Sequence, residues 1–342
     1  MLYNIQKTIL HRTTHPPNTT MKFTVKLLLI LINCSFLATG SKIVGGHEAR
    51  PHSHPYLVSL QTRFLWLRVH TCGGAILNER WVLSAAHCAI ESWLTRWLPM
   101  EVVAGIHDVN NFGTQSQVIK ISERIPHPLY EGGIGPYDIA VFSTVTPILF
   151  TKWVQPVALP TNYKLGGGQM KLAGWGALKT TYFIPDLPSR LQEVKVTYIP
   201  YDECFSAIDN LKEDYETNPL DKDANICTGP TTGGVAACNG DSGGPLIQYV
   251  PNGLFDNDPV EDNTEKYNAS NYVCCNEQAT ETIEEVTSTP TPQERQYVEE
   301  FIPVVIGVVS WGVSPCGEIG APTIYTNVST YLDFINYNIR DV

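Results

Sequence analysis

The sequence predicts an all-β protein that ends in a helix, and three observations support this fold class. Short β-branched and apolar segments alternate with turn residues, a pattern typical of a β-sandwich or a β-barrel. The segments form two series, with a break near residues 154–160. At the end of the chain, Val328, Leu332, Ile335 and Ile339 recur at the spacing of an amphipathic helix.

Each series contains enough short strands for a domain of its own. The first series consists of residues 56–61, 74–77, 81–84, 102–104, 118–121 and 139–142. The second consists of residues 170–173, 191–199, 245–249, 304–310 and 323–327. We therefore predict two domains, at residues 43–155 and 156–342.

The N-terminal residues have the pattern of a secretory signal. Residues 21–26 are basic, residues 27–32 are apolar, and residues 38–40 are small, as a signal peptidase requires. Residues 1–20 are then an upstream extension, and Met21 is a candidate start alongside Met1. We expect secretion to the extracellular space with cleavage near Gly40. The apolar run is shorter than the ~20 residues of a membrane span, so a signal anchor is the weaker alternative.

The net charge of −11 is concentrated in one segment. Residues 251–302 contain twelve Asp or Glu residues against two Lys or Arg, with few apolar residues to form a core. We predict a disordered acidic surface insertion there, either a tolerated solvated loop or a loop that docks a partner or restricts substrates. Asn268 within it and Asn327 outside it begin glycosylation sequons. The acidic balance also argues against nucleic acid as a partner.

The cysteines indicate an oxidising compartment. Of the nine, Cys34 lies in the signal, which leaves an even set of eight. Their spacing alone does not decide how they pair. The spacing of paired zinc ligands is missing from this set, so we predict no structural metal.

One glycine-rich stretch predicts a nucleophile. Ser242 is flanked by Gly240, Gly243 and Gly244, which allow a tight turn and an open hydroxyl. A hydroxyl needs a base and a group that orients the base. Two residues can supply these roles, although each by itself is more often structural: His87 between small residues and a cysteine, and Asp138 at the start of an apolar strand.

These residues occur in several motifs that appear together and in order. The motifs are Ile43-Val44-Gly45-Gly46, Ala85-Ala86-His87-Cys88, Asp138-Ile139-Ala140, Gly174-Trp175-Gly176, Gly240-Asp241-Ser242-Gly243-Gly244-Pro245 and Ser310-Trp311-Gly312. With them the chain resembles the trypsin and chymotrypsin-like serine proteases from Ile43 to Val342, apart from the acidic insertion. The resemblance implies two antiparallel β-barrels with the active site in the cleft between them.

The same resemblance implies the catalytic roles. Ser242 would attack the scissile carbonyl, His87 would carry the proton, and Asp138 would orient the imidazole. The backbone N–H groups of Gly240 and Ser242 would form the oxyanion hole. The resemblance also implies three disulfides, which are Cys72 with Cys88, Cys204 with Cys227, and Cys238 with Cys316. It leaves Cys274 and Cys275 unassigned.

Activation is implied by comparison with the family. Cleavage after Lys42 would remove a propeptide of residues 41–42 and free the Ile43 amine, which would pair with Asp241. Because the predicted substrate pocket carries no acidic side chain, the enzyme would cut this bond poorly. We therefore expect a separate trypsin-like protease as its activator.

The predicted substrate pocket departs from that of trypsin. Ala236 stands where trypsin has the aspartate that attracts Arg or Lys, and Thr323 stands where trypsin has glycine and elastase has threonine. Gly312 leaves the entrance open, next to Ser310 and Trp311, which with it would pair with the substrate backbone. This predicts cleavage after apolar residues such as Leu, Met, Val or Ala, and after Phe or Tyr if Thr323 leans aside.

Two further departures bear on cofactors and covalent bracing. Ile106 replaces a calcium-ligating glutamate, so we predict no calcium there and no cofactor. Met170 and Gln248 replace a cysteine pair of chymotrypsin, so the entry to the acidic insertion lacks that disulfide.

The function predicted from these observations is a secreted digestive serine endopeptidase. The alternatives are a protease of a regulatory cascade, or a protease-like binding protein that uses the acidic insertion. The expected partners are protein or peptide substrates, the activating protease and a proteinaceous inhibitor. We expect a monomer with no membrane association after signal removal.

Overall fold

The computed structural model describes residues 44–90, 97–160, 169–177, 187–213, 215–251 and 301–340. The predicted signal, propeptide and most of the acidic insertion lie outside these residues, as do Lys42, Ile43, Cys274 and Cys275. Within the described ranges, no helix is both long and apolar enough to cross a membrane.

The first half of the chain forms a closed antiparallel barrel. Its strands are β2 (Leu57–Phe64), β3 (Leu67–Ile76), β4 (Trp81–Ser84), β5 (Met100–Ala104), β6 (Gln117–Pro126) and β7 (Ala140–Thr144). They pair in the order β2-β3-β4-β7-β6-β5, and β5 closes on β2. The barrel interior is apolar, because side chains such as Leu60, Val102 and Phe142 are fully buried.

The second half forms another closed barrel. Its strands are β8 (Gln169–Gly174), β9 (Gln192–Ile199), β10 (Asn225–Gly229), β11 (Pro245–Pro251), β12 (Phe301–Gly312) and β13 (Thr323–Asn327). They pair in the order β9-β10-β13-β12-β11-β8, and β8 pairs back with β9. The short strand β1 (His47–Glu48) extends this sheet at β9, so residues 47–48 lie on the second barrel.

The predicted fold class is confirmed, since the structure consists of two antiparallel barrels with few helices. Every predicted strand overlaps an observed one. The prediction missed β1, β10, the outer half of β3, the short helix at Ala86–Ala89 and the helix α2 (Tyr201–Leu211). Helix α2 buries only Cys204 and Ile208, so its apolar face is too narrow to stand out in the sequence.

The C-terminal helix is also confirmed. A 3-10 turn (Val328–Tyr331) leads into α3 (Leu332–Asn338), and Val328 and Ile335 are fully buried. Tyr331 reaches the first barrel, where its hydroxyl accepts a hydrogen bond from the Tyr137 N–H at 2.9 Å. The end of the chain therefore braces the segment that carries Asp138.

Three disulfides join the pairs that the family resemblance implies. Cys72–Cys88 ties β3 to the short helix α1 (Ala86–Ala89), and Cys204–Cys227 ties α2 to β10. Cys238–Cys316 ties the loop before Ser242 to the loop after β12.

Met170 and Gln248, which replace the family's cysteine pair, lie opposite each other across β8 and β11. The two strands are therefore held at this point by backbone pairing.

Candidate active site

The carboxylate of Asp138 is buried and fully engaged. Its Oδ1 accepts the His87 backbone N–H at 2.9 Å, and its Oδ2 lies 2.8 Å from His87 Nδ1. Oδ2 also accepts the Ser310 hydroxyl at 2.5 Å, and the Asp138 carbonyl accepts the Thr326 hydroxyl at 2.7 Å. These donors fix the direction of the carboxylate and satisfy its oxygens within the apolar core.

His87 is held on one edge and open on the other. It lies on α1, and 31% of its side chain is exposed against 2% for Asp138. Because a carboxylate oxygen only accepts, Nδ1 carries the proton that bonds to Asp138. In the neutral ring the second nitrogen, Nε2, is the acceptor and can take up a proton.

Ser242 lies on a segment that is fixed from both barrels. Its carbonyl accepts the Gly73 N–H of β3 at 2.8 Å, and the next residue, Gly243, donates to the Val309 carbonyl of β12 at 2.9 Å. Gly243 has φ +75°, and a Cβ on it would overlap the Ser84 hydroxyl and lie 3.1 Å from Cys88 Sγ. The residue after Ser242 thus packs against the residue after His87, which brings the two predicted reactive residues to the same place.

The oxyanion segment is held by a residue that the sequence did not reveal. His70 Nε2 lies 2.8 Å from the Gly240 carbonyl, and His70 Nδ1 lies 2.7 Å from the Ser59 hydroxyl. The carbonyl can only accept, so Nε2 carries the proton and Nδ1 accepts from Ser59. Burial lowers the pKa of His70 to about 4, which keeps the ring neutral at pH 7. A bulge at Thr71 places His70 opposite Gln61 and Cys72 opposite Leu60, so the alternation of residues along β3 gave no signal for His70.

Asp241 occupies a pocket that only glycines permit. Its carboxylate accepts the Gly176 N–H at 2.8 Å and the Cys238 N–H at 3.0 Å. A Cβ on Gly174 or Gly176 would overlap the carboxylate, which explains the glycines on both sides of Trp175. Burial raises the pKa of Asp241 to about 6, while the two backbone hydrogen bonds oppose this rise.

The residues that follow Ile43 lie against the loops that contain Gly234, Ala236 and Gly317. The Ala236 N–H donates to the Val44 carbonyl at 3.4 Å. Val44 also packs on Gly317, where an added Cβ would lie 2.5 Å from Val44 Cγ1. Gly45 has φ +80°, and a Cβ on it would overlap the Gly234 carbonyl. Val44 and Gly45 are therefore packed against the loop that leads to Ser242.

The predicted pocket residues come together between β12, β13 and the loop before Ser242. Gly312 pairs with Thr323 in register, and the Thr323 hydroxyl accepts the Ala237 N–H at 3.1 Å. A Cβ on Gly312 would meet nothing closer than the Pro322 carbonyl at 3.9 Å, so this side is open. Ala236 and Thr323 are buried and carry no charge. The floor and the wall of the predicted pocket are therefore small and uncharged.

One cluster near the site has metal-like spacing. Ligand atoms of Cys72, His87 and Cys88 all lie within 4.8 Å of one another. Both sulfurs belong to the Cys72–Cys88 disulfide, so neither is a thiolate that could bind a metal. The prediction that the protein uses no cofactor stays a prediction.

Comparison with known proteins agrees with this geometry. Residues 43–252 match the family model described as Trypsin. The chain belongs to the trypsin family. It is 31% identical over 311 residues to lectizyme of Glossina austeni, which covers 88% of this chain and 87% of the relative.

Shorter matches agree with the same family. The chain is 35% identical over 227 residues to granzyme-like protein 1 of Rattus norvegicus, and 33% identical over 221 residues to trypsin-1 of Salmo salar. Both cover 65% of this chain, and they cover 84% and 81% of the respective relatives. This trypsin-family chain is therefore a serine-type endopeptidase, and its substrates are proteins.

Proposed function

We propose that this protein is a secreted endopeptidase that cleaves after apolar residues through a Ser242, His87 and Asp138 acyl-enzyme mechanism. The hydrogen bonds of Asp138 carry the proposal. Its carboxylate fixes both the backbone and the Nδ1 edge of His87, which leaves Nε2 free to face a nucleophile. An arrangement of this kind serves proton transfer and has no evident use in a passive scaffold.

The proposed reaction proceeds in two halves. The Ser242 hydroxyl adds to the substrate carbonyl carbon while His87 Nε2 takes its proton, and the N–H groups of Gly240 and Ser242 stabilise the oxyanion. His87 then gives the proton to the leaving amine as the peptide bond breaks, which leaves an ester on Ser242. Water repeats the sequence in reverse order: it adds to the ester carbonyl, His87 takes its proton and returns it to Ser242, and the acid is released.

The proposed activation follows from the position of Asp241. Among the described residues of the uncleaved chain, none contributes a countercharge to this buried carboxylate, whose pKa is raised by desolvation. Cleavage after Lys42 would provide the Ile43 ammonium, and the seating of Val44 supports its delivery to this place. The ion pair would lock the loop that holds Gly240 and Ser242.

The proposed specificity follows from Ala236 and Thr323. A buried alanine offers no carboxylate to a Lys or Arg side chain, and the threonine narrows the space beside it. Leu, Met, Val and Ala fit such a pocket best. The activating cut after Lys42 would accordingly come from another protease with the opposite preference. We further propose that the enzyme is monomeric, extracellular and digestive, and that a proteinaceous inhibitor can occupy its cleft.

A labelling experiment tests this function. The purified chain is cut after Lys42 and treated with an organophosphonate that carries a Leu-like side chain, with Ser242→Ala as the matched control. We expect one label per molecule, on Ser242, only after the cut. Peptides that differ in the residue before the scissile bond should then be cleaved faster after Leu than after Arg. Absence of labelling in the cut, folded chain would refute the enzymatic role and favour a binding protein.

A further inference from the structure

A group of large apolar side chains is exposed at the end of the β2–β3 hairpin. Phe64, Leu65, Trp66, Leu67 and Val69 are each more than half exposed, from 54% for Phe64 and Leu67 to 80% for Trp66. We call these five residues the apolar tip. Contiguous exposed apolar residues of this size commonly mark an interaction surface.

The pairing of the two strands fixes the direction in which the tip points. Phe64 lies opposite Leu67, and Arg63 lies opposite Arg68. Because successive residues of a strand alternate between faces, the arginines lie on the face opposite to Phe64 and Leu67. Both arginines bind Glu101, which is 3% exposed, at 3.4 Å and 2.7 Å. The charged face is thus held to the barrel, and the apolar face is turned outward.

The tip is connected to the active site through β3. The Gly73 N–H donates to the Ser242 carbonyl, and Gly243 on the other side donates to Val309 of β12. The nucleophile segment therefore lies between β3 and β12. Substrate residues before the scissile bond would pair with residues 310–312 of β12, so the residues after this bond leave the site toward β3.

The length of β3 sets which substrate residues could reach the tip. A strand advances about 3.3 Å per residue, so Val69 lies at most about 13 Å from Gly73 along β3. Leu67, where β3 begins, lies at most about 20 Å from Gly73, and the bulge at Thr71 shortens both distances. An extended substrate advances by the same amount per residue. The tip is therefore opposite about the fourth to the seventh residue after the scissile bond.

We propose that the apolar tip binds an apolar segment of the substrate, about four to seven residues after the scissile bond. The inference rests on the proposed endopeptidase function and names a class of substrate for it, namely proteins with a hydrophobic stretch beyond the cut. The continuity of β3 with the nucleophile segment favours this occupant. A membrane surface fits less well, because the net charge of −11 opposes anionic lipids.

Three quenched fluorescent peptides test the proposal. All have the same residues up to the third position after a scissile Leu. The first ends there, the second continues with Leu and Phe at the fourth to seventh positions, and the third has Ser at those positions. We expect kcat/KM for the second peptide to exceed that for the third by about tenfold, a difference that partial burial of two large side chains can supply.

Two tip variants and one control complete the design. Trp66→Ser and Val69→Thr should each reduce the preference for the second peptide, and Val69→Thr keeps a β-branched side chain that suits the strand. Tyr337→Ser, which removes an exposed aromatic from α3, should leave the preference unchanged. The rate on the short first peptide is the reference for each protein, so an incompletely folded variant is recognised.

The possible results distinguish failure of this inference from failure of the proposed endopeptidase function. Equal kcat/KM for the second and third peptides, with the first peptide cleaved, would overturn this inference alone. A preference that survives in Trp66→Ser and Val69→Thr would also overturn it. A separate assay measures binding of the protein to vesicles of anionic phospholipid. If the wild type binds them and Trp66→Ser does not, while the peptide preference is unchanged in this variant, the tip binds a lipid surface instead. Failure to cleave any peptide after activation would overturn the proposed function and this inference with it.

Discussion

Replacement of His70 by phenylalanine tests how the oxyanion segment is held. The ring remains, but the N–H that binds the Gly240 carbonyl at 2.8 Å is lost. A buried acceptor left without a donor costs about 1–3 kcal/mol, which is enough to let the Gly240 peptide rotate. The Gly240 N–H belongs to the preceding peptide unit and shares the Gly240 Cα with this carbonyl, so the rotation would displace the N–H from the oxyanion through the Gly240 backbone angles. Loss of one such donor lowers kcat by about 10²–10³-fold. Because the rotation would be partial, we expect kcat to fall by about 10–100-fold.

The assay separates this effect from simple destabilisation. kcat and KM are measured on a short peptide with the enzyme concentration set by active-site titration. KM should change little, because the oxyanion forms only in the transition state. His70→Gln, whose amide N–H can occupy the place of Nε2, should retain more activity than His70→Phe. A kcat within twofold of the wild type in His70→Phe would refute the argument.

The same residue makes a prediction about pH. Burial depresses the pKa of His70 from 6.5 to about 4, so the folded state keeps the ring neutral while the unfolded state takes up a proton. The stability that depends on the neutral ring is complete above pH 6.5 and is lost as the pH falls toward 4. This loss amounts to about 3 kcal/mol. Asp241 titrates in the same range, so the variant is compared with the wild type. From pH 7 to pH 4, urea unfolding of His70→Phe should lose about 3 kcal/mol less stability than the wild type, and an equal change in both proteins would contradict the assignment.

Three other changes have expected outcomes. In the uncleaved chain, burial raises the pKa of Asp241 from 3.8 to about 6, so the folded state holds a proton that the unfolded state releases. This contribution to the unfolding free energy rises by up to about 3 kcal/mol as pH falls from 6 to 4, opposite in sign to that of His70. In urea titrations over this range, Asp241→Asn should therefore lose up to about 3 kcal/mol more stability than the wild type. Gly176→Ala should abolish activity and lower the melting temperature, whereas Gly135→Ala, where nothing lies within 4 Å of an added Cβ, should do neither. Thr323→Gly should shift cleavage toward Phe and Tyr by about tenfold over Val in a peptide panel, and an unchanged ratio would mean that Thr323 does not narrow the pocket.

The sequence predicted the parts of the site that lie within short local motifs. A glycine is required at position 243 because a Cβ there would overlap Ser84. A glycine is required at position 176, beside Trp175, because a Cβ there would overlap Asp241. Such requirements depend on residue type at fixed positions, so they can be read from one sequence. The barrels followed from strand patterns, and the roles within the site came from the family resemblance.

The parts that escaped prediction depend on contacts between distant segments. His70 is 170 residues from Gly240, and no neighbour in the sequence marks it as a partner of that carbonyl. Ser310 was predicted to bind substrate, while its hydroxyl in fact also binds Asp138. Strand β10 is buried on both faces and shows no alternation, so periodicity cannot detect it. The sequence predicted no strand between residues 61 and 74, whereas β2 and β3 continue through this region as a hairpin that ends in the apolar tip.

The support of Asp138 by Ser310, Thr326 and the Tyr331 contact at Tyr137 has a consequence for how this enzyme can change over time. Hydroxyl groups of the second barrel orient the proposed catalytic carboxylate, Asp138 of the first barrel. The turnover rate should therefore depend on how well the two barrels pack together. A substitution that weakens these contacts between the barrels should lower activity even if each barrel still folds, so selection for activity acts against it. The junction is therefore expected to drift more slowly than the outer walls of either half, and a chimera that combines barrels from different relatives would need matched residues at these three positions to be active.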